Sequence, residues 1–380
     1  MGHKLLRWWT YRHLRRQVKK RPPKPLTELD PQAVKRVLLI NSTALGDILF
    51  STPAIRALKE NFPDWRLDLL VNPNYAALVK YNPHLENIIP FPGRNWRLVP
   101  LMRELKGSQY DLVIILHGND PEATLLAWAT GSPYIIGSGG SPLNFVYSEK
   151  VERRDPFEHA IERRLNFVRP LGADTTDKRM EFVLPSRELI RAEVLIIRHF
   201  GGTPSLLVAL HPTGSGRYKW WPLESYAALG NFLHETYGAA ILIISGRRDR
   251  PEAEALADRL AGPTLVTGGR PLLEVAAFVK HCRLFVGNDS GPLHMALALG
   301  VPSIALLGAD HPRRIGPQTV DWGTYLYHKE EVCPQEHCLN QKCPDNLCLK
   351  AIKVPEVIDL IRDWWEPRLA AANAGEKGKK

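Results

Sequence analysis

The side chains able to do chemistry in this 380-residue chain fall in short polar breaks that follow apolar runs. One such break, Asn288-Asp289-Ser290-Gly291-Pro292-Leu293-His294, interrupts the run from Leu284 to Val286 and opens a helical pattern. The first amides of a helix lack intrahelical partners and sit at the positive end of its dipole, so Asp289, Ser290 and Gly291 mark an end able to take a phosphate. The same residues also suit an ordinary capped helix, with Ser290 as N-cap and Pro292 in the first turn. Thr213, Gly214 and Ser215 form a second polar break, a source of hydroxyl and amide donors for an anion, or a plain turn. Lys219 stands in Lys219-Trp220-Trp221-Pro222, a cation whose stem lies among aromatics. Asp47 follows Gly46 at a strand-to-helix turn, where a carboxylate can accept a proton or simply complement the helix dipole.

These breaks need a scaffold, and strand and helix patterns alternate twice along the chain, which predicts parallel sheets. In the first half the strand patterns are Arg36 to Ile40, Leu67 to Val71, Asn87 to Pro90 and Leu112 to Leu116. Helical patterns stand at 48–61, 75–80, 96–106, 123–129, 159–171 and 186–199. The second half has strand patterns at 206–210, 240–244, 265–267, 284–286 and 303–307, with helical patterns at 223–237, 251–261, 272–281 and from Pro292. The expected layout is a basic arm and Pro-rich spacer over 1–35, a parallel-sheet domain over 36–200 and a linker at Gly201-Gly202-Thr203-Pro204. A second parallel-sheet domain follows over 205–353, then a helix over 354–366 crossing the domain boundary and a disordered tail over 367–380. Open parallel sheets bind ligands beyond the carboxyl ends of their strands, so the loops at Asp47, Lys219, Gly246 and Asp289 are where a site belongs, and two such domains facing each other make a cleft.

Charge is uneven. Residues 1–36 hold eleven Lys or Arg against Glu28 and Asp30, which leaves the rest of a chain of net charge +10 nearly neutral. No basic patch with interleaved aromatics stands out in the folded part, which disfavours nucleic acid as a partner. In the arm, Leu5, Trp8, Tyr11, Leu14 and Val18 recur at helical spacing, with Arg7, Arg12, Arg15, Arg16 and Lys19 on the other sides. That pattern fits a helix lying on an anionic membrane surface, and equally a solvated basic tail or a helix docked on the body. Pro22, Pro23 and Pro25 end it. With no long apolar span and no secretory pattern, a cytoplasmic protein is expected. Cys333, Cys338, Cys343 and Cys348 stand every fifth residue, a spacing open to a structural zinc, to partial disulfides or to free thiols; the usual Cys-x-x-Cys knuckle is missing.

Taken in order, Ser42-Thr43-Ala44-Leu45-Gly46-Asp47, the Lys219-Trp220-Trp221-Pro222 loop and Asn288-Asp289-Ser290-Gly291-Pro292-Leu293-His294 resemble glycosyltransferase family 9, the ADP-heptose:lipopolysaccharide heptosyltransferases, over roughly residues 36–362. The resemblance implies an α/β fold of GT-B architecture, two Rossmann-like parallel-sheet domains facing across a cleft. It also implies inverting, metal-independent transfer of a heptose from a nucleotide-diphosphate sugar, ADP-heptose in the family, to a lipopolysaccharide core or similar glycolipid. No cofactor is implied, and the place of work would be the cytoplasmic face of the inner membrane. An inverting transfer needs a base for the acceptor hydroxyl, and Asp47 matches the family's aspartate. Lys219 matches a lysine that contacts donor phosphate, and Asp289, Ser290, Gly291 and His294 match the donor-site motif, to which Thr213, Gly214 and Ser215 add donors. Asp289, being anionic, is expected to cap the helix or accept a sugar hydroxyl. Where the family carries a glutamate near the ribose, this chain reads Arg247-Arg248-Asp249, and it contains no Asp-x-Asp pair. An epimerase or phosphorylase acting on soluble sugars, or an inactive nucleotide-sugar-binding protein, shares the same fold.

Overall fold

The computed structural model describes residues 11–12, 14–93, 97–118, 121–318, 321–335, 338 and 340–377, with the side chains of 375–377 left aside. The chain divides into two compact units, Met1–Met180 and Glu181–Lys380.

In the first unit, six strands form one parallel sheet: β1 (Arg36–Asn41), β2 (Arg66–Val71), β3 (Asn87–Pro90), β4 (Leu112–Ile115), β5 (Tyr134–Ser138) and β6 (Glu149–Val151). Their order is β3-β2-β1-β4-β5-β6. The central strand β1 pairs with β2 and β4 on its two edges, and the consecutive side chains Val37 to Ile40, which alternate between the faces, are all fully buried, so both faces are covered. The second unit repeats the scheme with β7 (Leu207–His211), β8 (Ala240–Ile243), β9 (Thr264–Val266), β10 (Leu284–Asn288), β11 (Ser303–Leu307) and β12 (Gly323–Tyr327), in the order β12-β11-β10-β7-β8-β9. Both orders are the doubly wound Rossmann order. Each therefore reverses beside its first strand, between β1 and β4 and between β7 and β10.

Two expectations about chain organisation are corrected. The division falls before the Gly201–Pro204 segment, at Met180 and Glu181. The helix Ser186–Phe200 belongs to the second unit, where His281 meets the Leu189 carbonyl at 3.0 Å, His199 meets the Thr264 carbonyl at 2.7 Å and Arg191 reaches Glu274. The glycines that resemble a linker are that helix's stop: Gly201 has φ +71 and its amide bonds the Ile197 carbonyl. The segment expected to be a disordered tail from 367 is helical over Glu366–Lys377. The helix Val354–Leu360 continues through a π turn, Ile361–Trp365, and packs into the second unit's core. There the buried Trp365 indole donates to the Arg283 carbonyl at 2.8 Å and meets the Tyr237 ring edge-on.

The arm is helical at residues 11–12 and 14–20, and its apolar side is spent on the protein itself. Leu14 is 3% exposed within the first unit's core, Tyr11 meets Phe145 edge-on and Val18 packs beside them. The Trp128 indole donates to Gln17 Oε1, and Arg21 donates to the Ser132 carbonyl. Leu5, Arg7 and Trp8 lie outside the described residues. Leu14→Ala should therefore cost the first unit about 3 kcal/mol of stability in urea unfolding, whereas the exposed Arg16→Ala should stay within about 0.5 kcal/mol.

Candidate active site

In the first unit the site is built at the carboxyl end of β1. That strand ends on Asn41, a fully buried amide that must be satisfied inside the fold. Its Nδ2 donates to the Asp47 carbonyl at 2.9 Å and to Ser51 Oγ at 2.8 Å, and its Oδ1 accepts from Thr43 Oγ1 at 2.5 Å. Ser51 Oγ adds a second donor to the Asp47 carbonyl at 3.0 Å. The backbone at position 47, in the first turn of the short helix Leu45–Leu49, is thus fixed from two sides. The Asp47 side chain is 38% exposed, and its Oδ1 accepts from Arg164 at 2.8 Å. Arg164 comes from the helix Ala160–Leu165 and is buried, and burial pulls its guanidinium below the ordinary arginine value against the opposing pull of the Asp47 carboxylate. At the neighbouring end of β4, across the point where the strand order reverses, His117 lies 3.4 Å from Ser42 Oγ.

In the second unit the loops after β7, β10 and β11 meet in one charge cluster. Lys219 Nζ donates to Asp289 Oδ2 at 2.5 Å and to Asp310 Oδ2 at 3.2 Å, Arg314 donates to Asp310 Oδ1 at 3.0 Å, and His294 Nε2 lies 3.6 Å from Asp289 Oδ1. Burial alone would lower the lysine's pKa, yet the two carboxylates outweigh it and hold the ammonium charged above the usual lysine range. Asp289, also desolvated, is held below the usual carboxylate range by His294 and Lys219. Asp289 is therefore a partner of the lysine, and the N-cap position of the following helix belongs to Ser290, which corrects the expectation that Asp289 caps the helix.

Asn288 sews these loops together much as Asn41 does in the first unit. Fully buried, it accepts from the Trp221 amide at 3.0 Å and donates to the carbonyls of Pro212, at 2.9 Å, and Thr213, at 3.2 Å. Gly287 permits the close passage of β10 by β7, for a Cβ there would lie 2.9 Å from His211 Cβ. The segment on either side of Cys348 braces the Lys219 loop, with Asn346 donating to the Trp220 carbonyl at 2.6 Å and the Trp221 indole to the Ile352 carbonyl at 2.9 Å.

Two hydroxyls stand uncommitted beside the cluster. Ser290 is the N-cap of the helix Gly291–Ala298, in extended backbone, yet its side chain makes no cap hydrogen bond, and its Oγ and Thr213 Oγ1 are buried without a partner among the described residues. Buried hydroxyls left unpaired are costly, so they mark where a ligand's acceptors fit. The structure gathers Thr213, Lys219, Asp289, Ser290, Gly291 and His294 at one strand edge, with Gly214 0.35 nm, that is 3.5 Å, from Lys219 Cβ if it carried its own Cβ. Ser215 is exposed and meets the Tyr218 hydroxyl at 3.4 Å. Asn41, Asn288, Arg164, Asp310 and Arg314 are added by the structure. Only Asn41 and Asn288 left a sequence signal, as polar residues ending apolar strands.

The cysteines do not form the cage suggested for zinc. Among the described residues no three His, Cys, Asp or Glu side chains are placed to hold a metal, and all five thiols are free. Burial, joined by the nearby Cys333, Cys338 and Cys343, pushes the Cys348 thiol up. His337 lies outside the described residues.

A profile of glycosyltransferase family 9 (heptosyltransferase) matches residues 98–344. Lipopolysaccharide heptosyltransferase 3 of Escherichia coli is 26% identical over 282 residues, 70% of this chain and 82% of that protein. Among solved structures, a glycosyl transferase family 9 protein from Veillonella parvula superposes with a TM-score of 0.74 at 22% identity, covering 87% of this chain and 97% of that one. The E. coli ADP-heptose lps heptosyltransferase II superposes with a TM-score of 0.70 at 18% identity, covering 88% and 99%.

His211, at the end of β7, supplies a pH test of this edge. Burial lowers its imidazole to about 4, against the opposing bond from its Nδ1 to the Ile244 carbonyl at 2.9 Å. In the unfolded chain it titrates near 6.5, so its contribution to stability is complete above that pH and drains away as pH falls towards about 4. The urea midpoint of the second unit should fall across this window, and His211→Gln should flatten the fall.

Proposed function

We propose that this chain, which belongs to glycosyltransferase family 9, the heptosyltransferases, transfers a heptose from ADP-heptose to the core of a lipopolysaccharide, with inversion at the anomeric carbon and without a divalent ion. The observation that carries the reading is the paired chemistry at the two reversal points. One presents a half-exposed carboxylate, Asp47, and the other a partly buried ammonium, Lys219, flanked by the hydroxyls of Ser290 and Thr213, which are uncommitted among the described residues. The names of the relatives, a lipopolysaccharide heptosyltransferase and an ADP-heptose lps heptosyltransferase, support the choice of donor and acceptor.

In this reading the acceptor hydroxyl oxygen attacks the anomeric carbon as its bond to the β-phosphate oxygen breaks, and the hydroxyl proton passes to Asp47. The electron pair of the broken bond leaves on ADP. Its growing charge is met by Lys219, by the Ser290 and Thr213 hydroxyls and by the amides that open the helix Gly291–Ala298, donors fixed before the reaction begins. Lys219 has three N–H donors, of which the two carboxylates take two, leaving one for phosphate. Asp289 and Asp310 hold that lysine in place, and Gly214, Ser215 and His294 lie within the donor-binding segments. Asp47→Ala should reduce kcat by at least about 100-fold with ADP affinity unchanged, whereas Lys219→Ala should weaken ADP binding and turnover together. Steady-state transfer and calorimetric titration with ADP measure both; a near-normal rate for Asp47→Ala rules out its role as base.

A glycolipid acceptor requires the enzyme to work at a membrane, as a peripheral protein on the cytoplasmic face in this proposal. No helix among the described residues is long and apolar enough to cross one. The arm's apolar side is buried against the first unit, so the attachment proposed here is electrostatic, through the exposed Arg12, Arg15, Arg16, Lys19 and Lys20, rather than an insertion of apolar side chains from this stretch. Binding of the chain to vesicles containing phosphatidylglycerol should disappear at about 0.5 M salt and on reversing these five charges to glutamate. Retention through both treatments identifies apolar insertion instead.

A further inference from the structure

We propose that Arg164 is the positioning residue of the base, holding the Asp47 carboxylate by one oxygen so that the other is left for the acceptor hydroxyl; the inference rests on the reading of Asp47 as the base. Arginine is rarely buried unless its charge is paired, and Arg164 is 4% exposed. Its ionic partner among the described residues is the single carboxylate of Asp47, which is 38% exposed. A buried cation tied to a half-exposed acid is an unusual structural economy. Desolvating a guanidinium costs several kcal/mol, and a pair kept for stability alone is expected to use the two-pronged contact that arginine offers.

The contact seen is one-pronged. One terminal nitrogen of Arg164 reaches Oδ1 at 2.8 Å, while its buried Nε has no hydrogen-bond partner among the described residues. Among the described residues Asp47 Oδ2 accepts no hydrogen bond. The backbone at 47 is already fixed by Asn41 and Ser51, so what Arg164 adds is the orientation of the side chain about its own bonds. The helix that carries Arg164 is itself anchored, with His159 Nδ1 accepting from the Ile161 amide at 3.2 Å and the His159 ring edge-on to Phe50, just beyond the helix that carries Asp47. An arginine also remains charged throughout the cycle. When Asp47 takes the acceptor's proton, the guanidinium faces a neutral acid, and loss of that proton to water restores the pair.

A mutant cycle tests this. Arg164→Met, Arg164→Lys, Asp47→Ala and the double variant Asp47→Ala/Arg164→Met are compared by steady-state heptosyl transfer, calorimetric titration with ADP and thermal unfolding. Arg164→Met should lower kcat about 100-fold and leave the ADP Kd within twofold, because ADP binding is assigned to the second unit. Arg164→Lys should recover most of the loss, and in the Asp47→Ala background Arg164→Met should cause no further loss. If Arg164→Met is too unstable to assay, Arg164→Gln enters the same cycle with the same expectation of non-additivity. Losses that multiply in the double variant, or a normal kcat for the Arg164 variant beside an inactive Asp47→Ala, overturn the positioning role alone. A normal rate for Asp47→Ala instead overturns the base assignment beneath it.

Discussion

The ammonium of Lys219 between the carboxylates of Asp289 and Asp310 is the constraint that organises the second unit's carboxyl edge. Three loops, after β7, β10 and β11, each bring charge to a place that is largely shielded from water. A buried charge is tolerated only when paired, and removing one partner of such a pair costs about 3–5 kcal/mol. The loops therefore cannot relax independently: moving any one strands the charge of another. Arg314 extends the chain of pairing by holding Asp310 from its far side, and Asn288 fixes the main chain beneath it. What the arrangement leaves unpaired, the hydroxyls of Ser290 and Thr213, is then where a ligand completes the polar network.

The first unit solves a related problem with less burial. Its strand β1 also ends in a fully buried asparagine, and Asn41 fixes the turn as Asn288 does in the second unit. The charge at that turn is a carboxylate still open to solvent, held by a cation that is not. The contrast follows from what each edge is proposed to do. A departing diphosphate needs a preorganised positive surface shielded from water, whereas a base needs one oxygen accessible and a fixed direction. Two sheets of the same strand order thus present different groups at corresponding places, a carboxylate in one and an ammonium in the other.

Much of this was legible in the sequence, for identifiable reasons. Central strands such as β1, β7, β10 and β11 are uninterrupted apolar runs ended by glycine, proline or polar residues, so their positions follow from periodicity. The strands β6 and β12 carry no such signal: β6 is three residues long and only partly buried, and β12 is half-covered at a sheet edge, while β5 offers only the short apolar run Tyr134 to Ile136 before Gly137. The boundary was misplaced because a C-terminal helix glycine and a linker glycine look alike until φ is known. Of the site, the loop residues were visible, but their pairings were not. Lys219 and Asp310 stand 91 positions apart and Arg164 and Asp47 stand 117 apart, and only the topology brings them together. The basic helix is amphipathic by sequence alone, but only the burial of Leu14 shows that its apolar side faces the protein.

The central claim is that this edge chemistry moves a heptose onto a glycolipid. Its most direct test is to incubate the purified chain with ADP-heptose and a lipopolysaccharide core lacking heptose, in a chelator, and to analyse the acceptor by mass spectrometry and anomeric NMR. The account predicts a gain of one heptosyl unit, joined with the configuration opposite to that of the donor. An unmodified acceptor with heptose appearing only as a free or phosphorylated soluble sugar, or a product of retained configuration, would contradict it.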